Sequence, residues 1–65
     1  MNDAANASEP TIIGQGYDTY EVERGPATGR WNIYRIGAVS DAFIKSERTR
    51  AAAVATARKL AGVVA

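Results

Sequence analysis

Residues 30–36, RWNIYRI, constrain the fold of this chain more than any other segment, because they combine its only Trp with two Ile and a Tyr. Strict alternation of side chains along a strand divides the segment into two faces: Trp31, Ile33 and Arg35 on one, and Asn32, Tyr34 and Ile36 on the other. The first face can contribute to a core, whereas the second mixes an aromatic ring with polar groups. The segment therefore predicts a strand with one buried and one accessible side.

The length and the missing residue types limit both core size and chemistry. A chain of 65 residues is one domain, and such a domain buries only about 60% of the surface that its unfolded chain exposes. The sequence has no Cys and no His, which leaves no disulfide, no thiolate metal site and no imidazole base. We therefore expect a non-enzymatic protein without a metal or cofactor, for which self-association would compensate for a small core.

The first 16 residues differ in composition from the rest of the chain. Residues 1–16 are mostly small and polar, and they predict a flexible N-terminal arm, with at most a brief extended segment at residues 11–13. From Tyr17 onward, eight Lys or Arg stand against five Asp or Glu, so the predicted domain, residues 17–65, is mildly basic. No signal-peptide pattern and no apolar run of about 20 residues is present, so we expect a cytoplasmic protein without a membrane span.

Three strands are predicted in residues 17–45. Residues 17–24 alternate, with Tyr20 and Val22 on one face and Thr19, Glu21 and Glu23 on the other. The GPATG segment at residues 25–29 is typical of a hairpin turn. Residues 30–36 then form the second strand and residues 42–45 the third. Residues 39–41 form either a wide turn or the start of that third strand.

A C-terminal helix is predicted over residues 51–61, which are rich in Ala. Either Thr49 or Ser46 can serve as the N-cap, and Gly62 stands where a C-terminal glycine is expected. Helical spacing predicts one apolar stripe: Ala53, Val54, Ala57, Leu60 and Ala61.

These elements predict an α+β fold in which a three-stranded antiparallel sheet, in the order β-β-β-α, is covered on one face by the helix. Trp31 and Ile33 are expected to anchor that helix, together with one of Phe43 or Ile44. The opposite, open face of the sheet would carry five residues: Glu21, Glu23, Asn32, Tyr34 and Ile36.

The chain resembles a group of short, uncharacterised bacterial proteins. The resemblance covers residues 17–61 and lies in a Gly-x-Trp-x-Ile segment followed by Thr49-x-x-x-Ala53-x-x-x-Ala57-Arg58. It implies a fold but no activity. The group has an aromatic residue two positions before the Thr, where this chain has Glu47, so either the third strand is offset or the helix begins at Ser46. The strand order also resembles the arm-type DNA-binding domain of phage integrases, at the level of the fold alone.

The residues on and beside the central strand favour a binding function. The predicted nucleic-acid or partner contacts are Asn32, Tyr34, Arg35, Arg30, Arg24 and Lys45, with a second basic patch at Arg48 and Arg50. Asn can read a base edge, Tyr can stack and Arg can contact phosphate, although charged residues at strand edges also keep small sheets from aggregating. The sequence predicts a small binding module, DNA-binding through the open face or, as the alternative, a protein-interaction module or homodimer. No small-molecule substrate is evident.

Overall fold

The computed structural model describes residues 10–62 of the chain, which form four antiparallel strands and one helix. In chain order they are β1 (Thr11–Gln15), β2 (Asp18–Arg24), β3 (Trp31–Arg35), β4 (Ala42–Glu47) and α1 (Arg50–Ala61). The strands lie side by side in sequence order, each antiparallel to the next. The predicted α+β class, the antiparallel sheet and the C-terminal helix are confirmed, but the prediction of three strands is wrong.

The additional strand, β1, lies in the segment that the sequence assigned to the flexible arm; residues 1–9 lie outside the described part of the chain. Ile13 of β1 pairs with Tyr20 of β2, and both side chains are buried. Gly16, at a φ of 63°, allows the tight turn that returns the chain into β2. A strand of five residues interrupted by Gly14 has too little alternation to be recognised. Its pairing with β2 and the burial of Ile13 hold it in the sheet.

The core is built from aliphatic side chains of the sheet and small side chains of the helix. Ile33 and Val22, opposite each other on neighbouring strands, are fully buried, as are Ala53 and Ala57 of α1. Trp31 is half-buried and packs against the edge of this cluster. The expected anchoring role of Trp31 is therefore shared, and Ile33 is the central residue.

A β-bulge explains why the expected contribution of β4 to the core is wrong. Ile33 pairs with Lys45, but the next residue, Tyr34, pairs with Phe43, so Ile44 is an extra residue in β4. Phe43 and Ile44 are 58% and 40% exposed. Without the extra residue, Ile44 would face Tyr34 and Phe43 would face Arg35. The bulge therefore moves the Phe43 ring to the side of the sheet opposite the helix.

The ends of α1 decide between the alternatives left by the sequence. The Thr49 hydroxyl accepts a hydrogen bond of 3.1 Å from the Ala52 N–H, which makes Thr49 the N-cap rather than Ser46. Gly62 ends the helix in the left-handed conformation, at a φ of 75°. β4 continues to Glu47, so Ser46 belongs to the strand and the helix does not begin there.

One member of the predicted apolar stripe lies outside the core. Leu60 is 42% exposed, whereas Ala61 is the residue of the last turn that lies against β1, next to Gly14. The helix packs chiefly over β2 and β1, and its small side chains allow close approach. At 12 residues it is too short and too polar to cross a membrane, and residues 10–62 contain no other helix.

Replacement of Ile33 by Val tests the position of the core. Removing one methylene from this fully buried side chain should lower the free energy of unfolding by about 0.5–1.5 kcal/mol. Ile12→Val is the matched control, because Ile12 is 55% exposed and should change stability by less than about 0.5 kcal/mol. Urea denaturation measures both, and equal losses in the two variants would contradict the assigned core.

Gly14→Ala tests whether β1 is held close to its neighbours. Gly14 has a φ of 93°, and an added Cβ would clash with the Asp18 carbonyl oxygen and lie 3.0 Å from the Ala61 Cβ. We expect a loss of about 2 kcal/mol or more from strain and clash together. Gly16→Ala, with a φ of 63° and no atom near its Cβ position, should cost about 1–2 kcal/mol. A Gly14 variant as stable as the Gly16 variant would argue against the packing of β1.

Candidate functional site

The open face of the sheet is the surface opposite α1, and the pairing of the strands defines its members. One row crosses all four strands, and a second row crosses the three strands β2, β3 and β4. These two rows hold seven residues of the open face: Ile12, Glu21, Tyr34 and Phe43 in the first row and Glu23, Asn32 and Ser46 in the second. Alternation places the members on β1, β2 and β3 opposite the buried residues of the same strands, and the register of β4 against β3 places Phe43 and Ser46 on the same side.

An aromatic pair occupies the β3–β4 side of the open face. The rings of Tyr34 and Phe43 meet edge to face, with centroids 5.8 Å apart and planes inclined by 69°, a favoured geometry for aromatic pairs. Tyr34 is half-buried and Phe43 is mostly exposed. On the β1 side of the same row, Ile12 is also mostly exposed. The face thus presents apolar groups at both edges of the sheet.

Carboxylates occupy the centre of the open face, on β2. Glu21 lies between Ile12 and Tyr34, and Glu23 lies beside Asn32. Neither forms a salt bridge within residues 10–62. The pKa of Glu21 is raised, chiefly because partial burial disfavours its charged form and secondly because Glu23 and then Asp41 repel that charge. The centre of the open face is therefore acidic.

Arg30 stands at the end of the open face nearest the β2–β3 turn. Its Nε donates a 2.9 Å hydrogen bond to the Ser46 hydroxyl of β4. The turn itself is closed by a 2.7 Å hydrogen bond from the Gly25 N–H to the Arg30 carbonyl oxygen. Both contacts hold Arg30 at the rim, away from the row that contains Glu21.

The structure does not bring the predicted binding residues together. Asn32 and Tyr34 lie on the open face with Arg30 at its rim, whereas Arg24, Arg35 and Lys45 belong by register to the helix side of the sheet. A hydrogen bond of 2.8 Å from the Arg50 Nη2 to the Thr11 hydroxyl ties Arg50 to the edge of β1, and Arg48 is exposed just after β4. The basic residues are thus dispersed over both sides of the molecule.

Three of these open-face residues, Ile12, Phe43 and Ser46, were missed by sequence reasoning. Ser46 was considered only as an N-cap, because the third strand was predicted to end at residue 45, whereas β4 continues to Glu47. The bulge that turns Phe43 outward depends on the register of β4 against β3, which no local pattern encodes. Ile12 was missed because β1 was not recognised, although the TII segment carries a weak strand signal. Ile36, expected on this face, follows the end of β3; its N–H continues the ladder with a 2.9 Å bond to the Thr19 carbonyl oxygen.

A second carboxylate, Glu47, links β4 to the helix on the opposite side of the sheet. Thr56 donates a 2.8 Å hydrogen bond to its Oε2, and the Lys45 ammonium lies 3.3 Å from the same oxygen. The pKa of Glu47 is lowered, first by the Thr56 hydrogen bond and then by Lys45. No group of three metal-ligating side chains occurs within residues 10–62.

Comparisons with known proteins found no relative of this chain. No protein-family model matches the sequence, no curated protein matches it, and no solved structure matches its fold. The resemblance to short bacterial proteins stays a prediction, and function is argued from the surface alone.

Glu21 and Glu47 should respond oppositely to neutralisation. Because burial and repulsion raise the pKa of Glu21, its ionisation destabilises the fold, and Glu21→Gln should raise the melting temperature at pH 7. That gain should vanish below about pH 4, where the wild-type carboxyl is also neutral.

Because its hydrogen bonds lower the pKa of Glu47, Glu47→Gln should lower the melting temperature at pH 7, with the loss shrinking as the pH falls through the acid range. Thermal melts from pH 3 to 7 test both signs; two shifts of the same sign would refute the assignment.

Proposed function

We propose that this chain is a protein-interaction module that binds its partner through the open face of the sheet. The observation that carries the proposal is the mostly exposed Phe43 ring, packed edge to face on Tyr34 and next to an acidic centre. Aromatic side chains dominate the energy of protein–protein interfaces, because they bury a large area at a small cost in conformational entropy. The Tyr34–Phe43 pair supplies such an anchor.

The charge of the open face favours a protein partner over nucleic acid. Binding to a phosphate backbone requires Lys and Arg on the contacting surface. The ionisable groups in the middle of this face are Glu21 and Glu23, and Asp41 is near enough to raise the pKa of Glu21. Arg30 alone is basic, and it lies at the rim, hydrogen-bonded to Ser46. A nucleic acid laid on the sheet would therefore be repelled at its centre.

The same charges define the chemistry of the partner. A segment that presents apolar side chains flanked by Lys or Arg would cover Ile12 and Phe43 and neutralise Glu21, which forms no salt bridge within the described residues. Symmetric self-association centred on β2 is disfavoured, because it would bring Glu21 and Glu23 of one copy against the same residues of the other. A cationic, partly apolar segment of another protein fits the surface better.

Panning of a random peptide library on the immobilised protein tests the proposal. Peptides that prefer the wild type over Phe43→Ala should be enriched in apolar residues combined with Lys or Arg. Phe43→Ala should weaken a selected peptide at least tenfold, or about 1.4 kcal/mol, and Glu21→Lys should shift selection toward acidic peptides. Arg58→Ala, on the exposed helix surface, is the matched control and should bind like the wild type.

Fluorescence anisotropy with labelled duplex and single-stranded DNA at low salt tests the alternative, that the chain binds nucleic acid. Salt-sensitive binding of DNA that Tyr34→Ala abolishes would overturn the proposal in favour of a nucleic-acid module. Peptides that bind Phe43→Ala and the wild type equally would also overturn it. Circular dichroism of each variant establishes that it is folded, so that loss of binding reports on the surface itself.

A further inference from the structure

A cleft of about 520 Å³ lies at one end of the sheet, and none of its lining residues belongs to the two rows of the open face. One wall is the turn between β1 and β2, at Gly16 and Tyr17, and the other is the connection between β3 and β4, at Gly37 and Ser40. Arg35, the last residue of β3, also lines it. Seven of its eight lining residues are exposed, so the cleft is open to solvent, and its walls are mainly small or apolar.

Arg35 is held in place within this cleft by the backbone. Its Nε and Nη2 both donate to the Tyr17 carbonyl oxygen, at 3.3 and 3.1 Å. The guanidinium has five N–H donors, so three hydrogens, on Nη1 and Nη2, are left for a ligand. Arg35 forms no salt bridge within residues 10–62, and it is the one cation among the residues that line the cleft. Its charge is thus oriented but not neutralised.

We propose that this cleft binds a ligand with one carboxylate on a small apolar body. The planar carboxylate matches the Nη1 and Nη2 hydrogens of Arg35 as a charge-assisted, two-bond pair. A dianionic phosphate would meet only one cation among apolar walls, which would leave its second charge uncompensated. The Tyr17 side chain is 90% exposed at the cleft and supplies an aromatic surface for the apolar body. The site is independent of the open face, because Arg35 lies on the helix side of β3.

The carboxylate can come from a free organic acid or from the C-terminus of a peptide. A nitrogen–proton NMR titration distinguishes them with three probes: benzoate, N-acetyl-Ala-Phe with a free carboxyl group, and the same dipeptide as its C-terminal amide. We expect saturable shifts at the amides of Gly16, Gly37 and Ser40 with at least one carboxylate, and at least tenfold weaker binding of the amide. Benzoate alone would identify a free acid, and the dipeptide acid alone would identify a chain terminus.

Variants of Arg35 decide whether its guanidinium carries the binding. Arg35→Gln should weaken binding at least tenfold, and Arg35→Lys, which keeps the charge but not the planar fork, should restore only part of it. Arg58→Gln removes the same charge from the exposed helix surface and should bind like the wild type. No saturable shift with either carboxylate would overturn the proposal, as would equal weakening by the Arg35→Gln and Arg58→Gln changes.

Discussion

The contact between Ala53 and Ala57 of the helix and Val22 and Ile33 of the sheet is the interaction on which the rest of the structure depends. These four side chains are completely buried, in a chain with few large apolar residues. Two alanines allow the helix to lie close to the sheet, so small side chains achieve a dense contact. The last turn of the helix lies equally close to β1, where a Cβ at position 14 would be 3.0 Å from the Ala61 Cβ, so Gly14 is what permits that contact.

Covering only one side of the sheet leaves the other side with a different composition. The helix packs over β2 and β1, and alternation sends Glu21, Glu23, Asn32 and Tyr34 to the opposite face. Polar residues on the side of an antiparallel sheet that faces water stay hydrated, so they carry no desolvation cost. The exposed Phe43 ring is not accounted for by solvation or by the core, and this is why we regard the open face as a binding surface.

Residues of the candidate site and the helix caps were predicted well where their placement depends on neighbours in the chain, and poorly where it depends on contacts between distant segments. Alternation within one strand placed Asn32 and Tyr34 on the open face. Local capping chemistry placed the C-terminal end of the helix at Gly62 and left Thr49 and Ser46 as alternatives for its N-cap. Arg35 was grouped with Asn32 and Tyr34 for its charge, although alternation already placed it on the side of Trp31 and Ile33. Lys45 was grouped with them because the sequence does not give the register of β4 against β3. Phe43 was assigned as a core candidate, because the extra residue in β4 changes its side without any local signature.

The sequence by itself determined the helix, the three strands that alternate or follow turn residues, and the two sides of the central strand. These features depend on contacts between residues near each other in the chain, which periodicity and capping report directly. Only the tertiary structure decided that β1 joins the sheet, that Ile33 rather than Trp31 is the centre of the core, and that β4 is bulged. Each of these depends on packing or register between segments distant in sequence, where a shift of one residue reverses the side that a side chain faces.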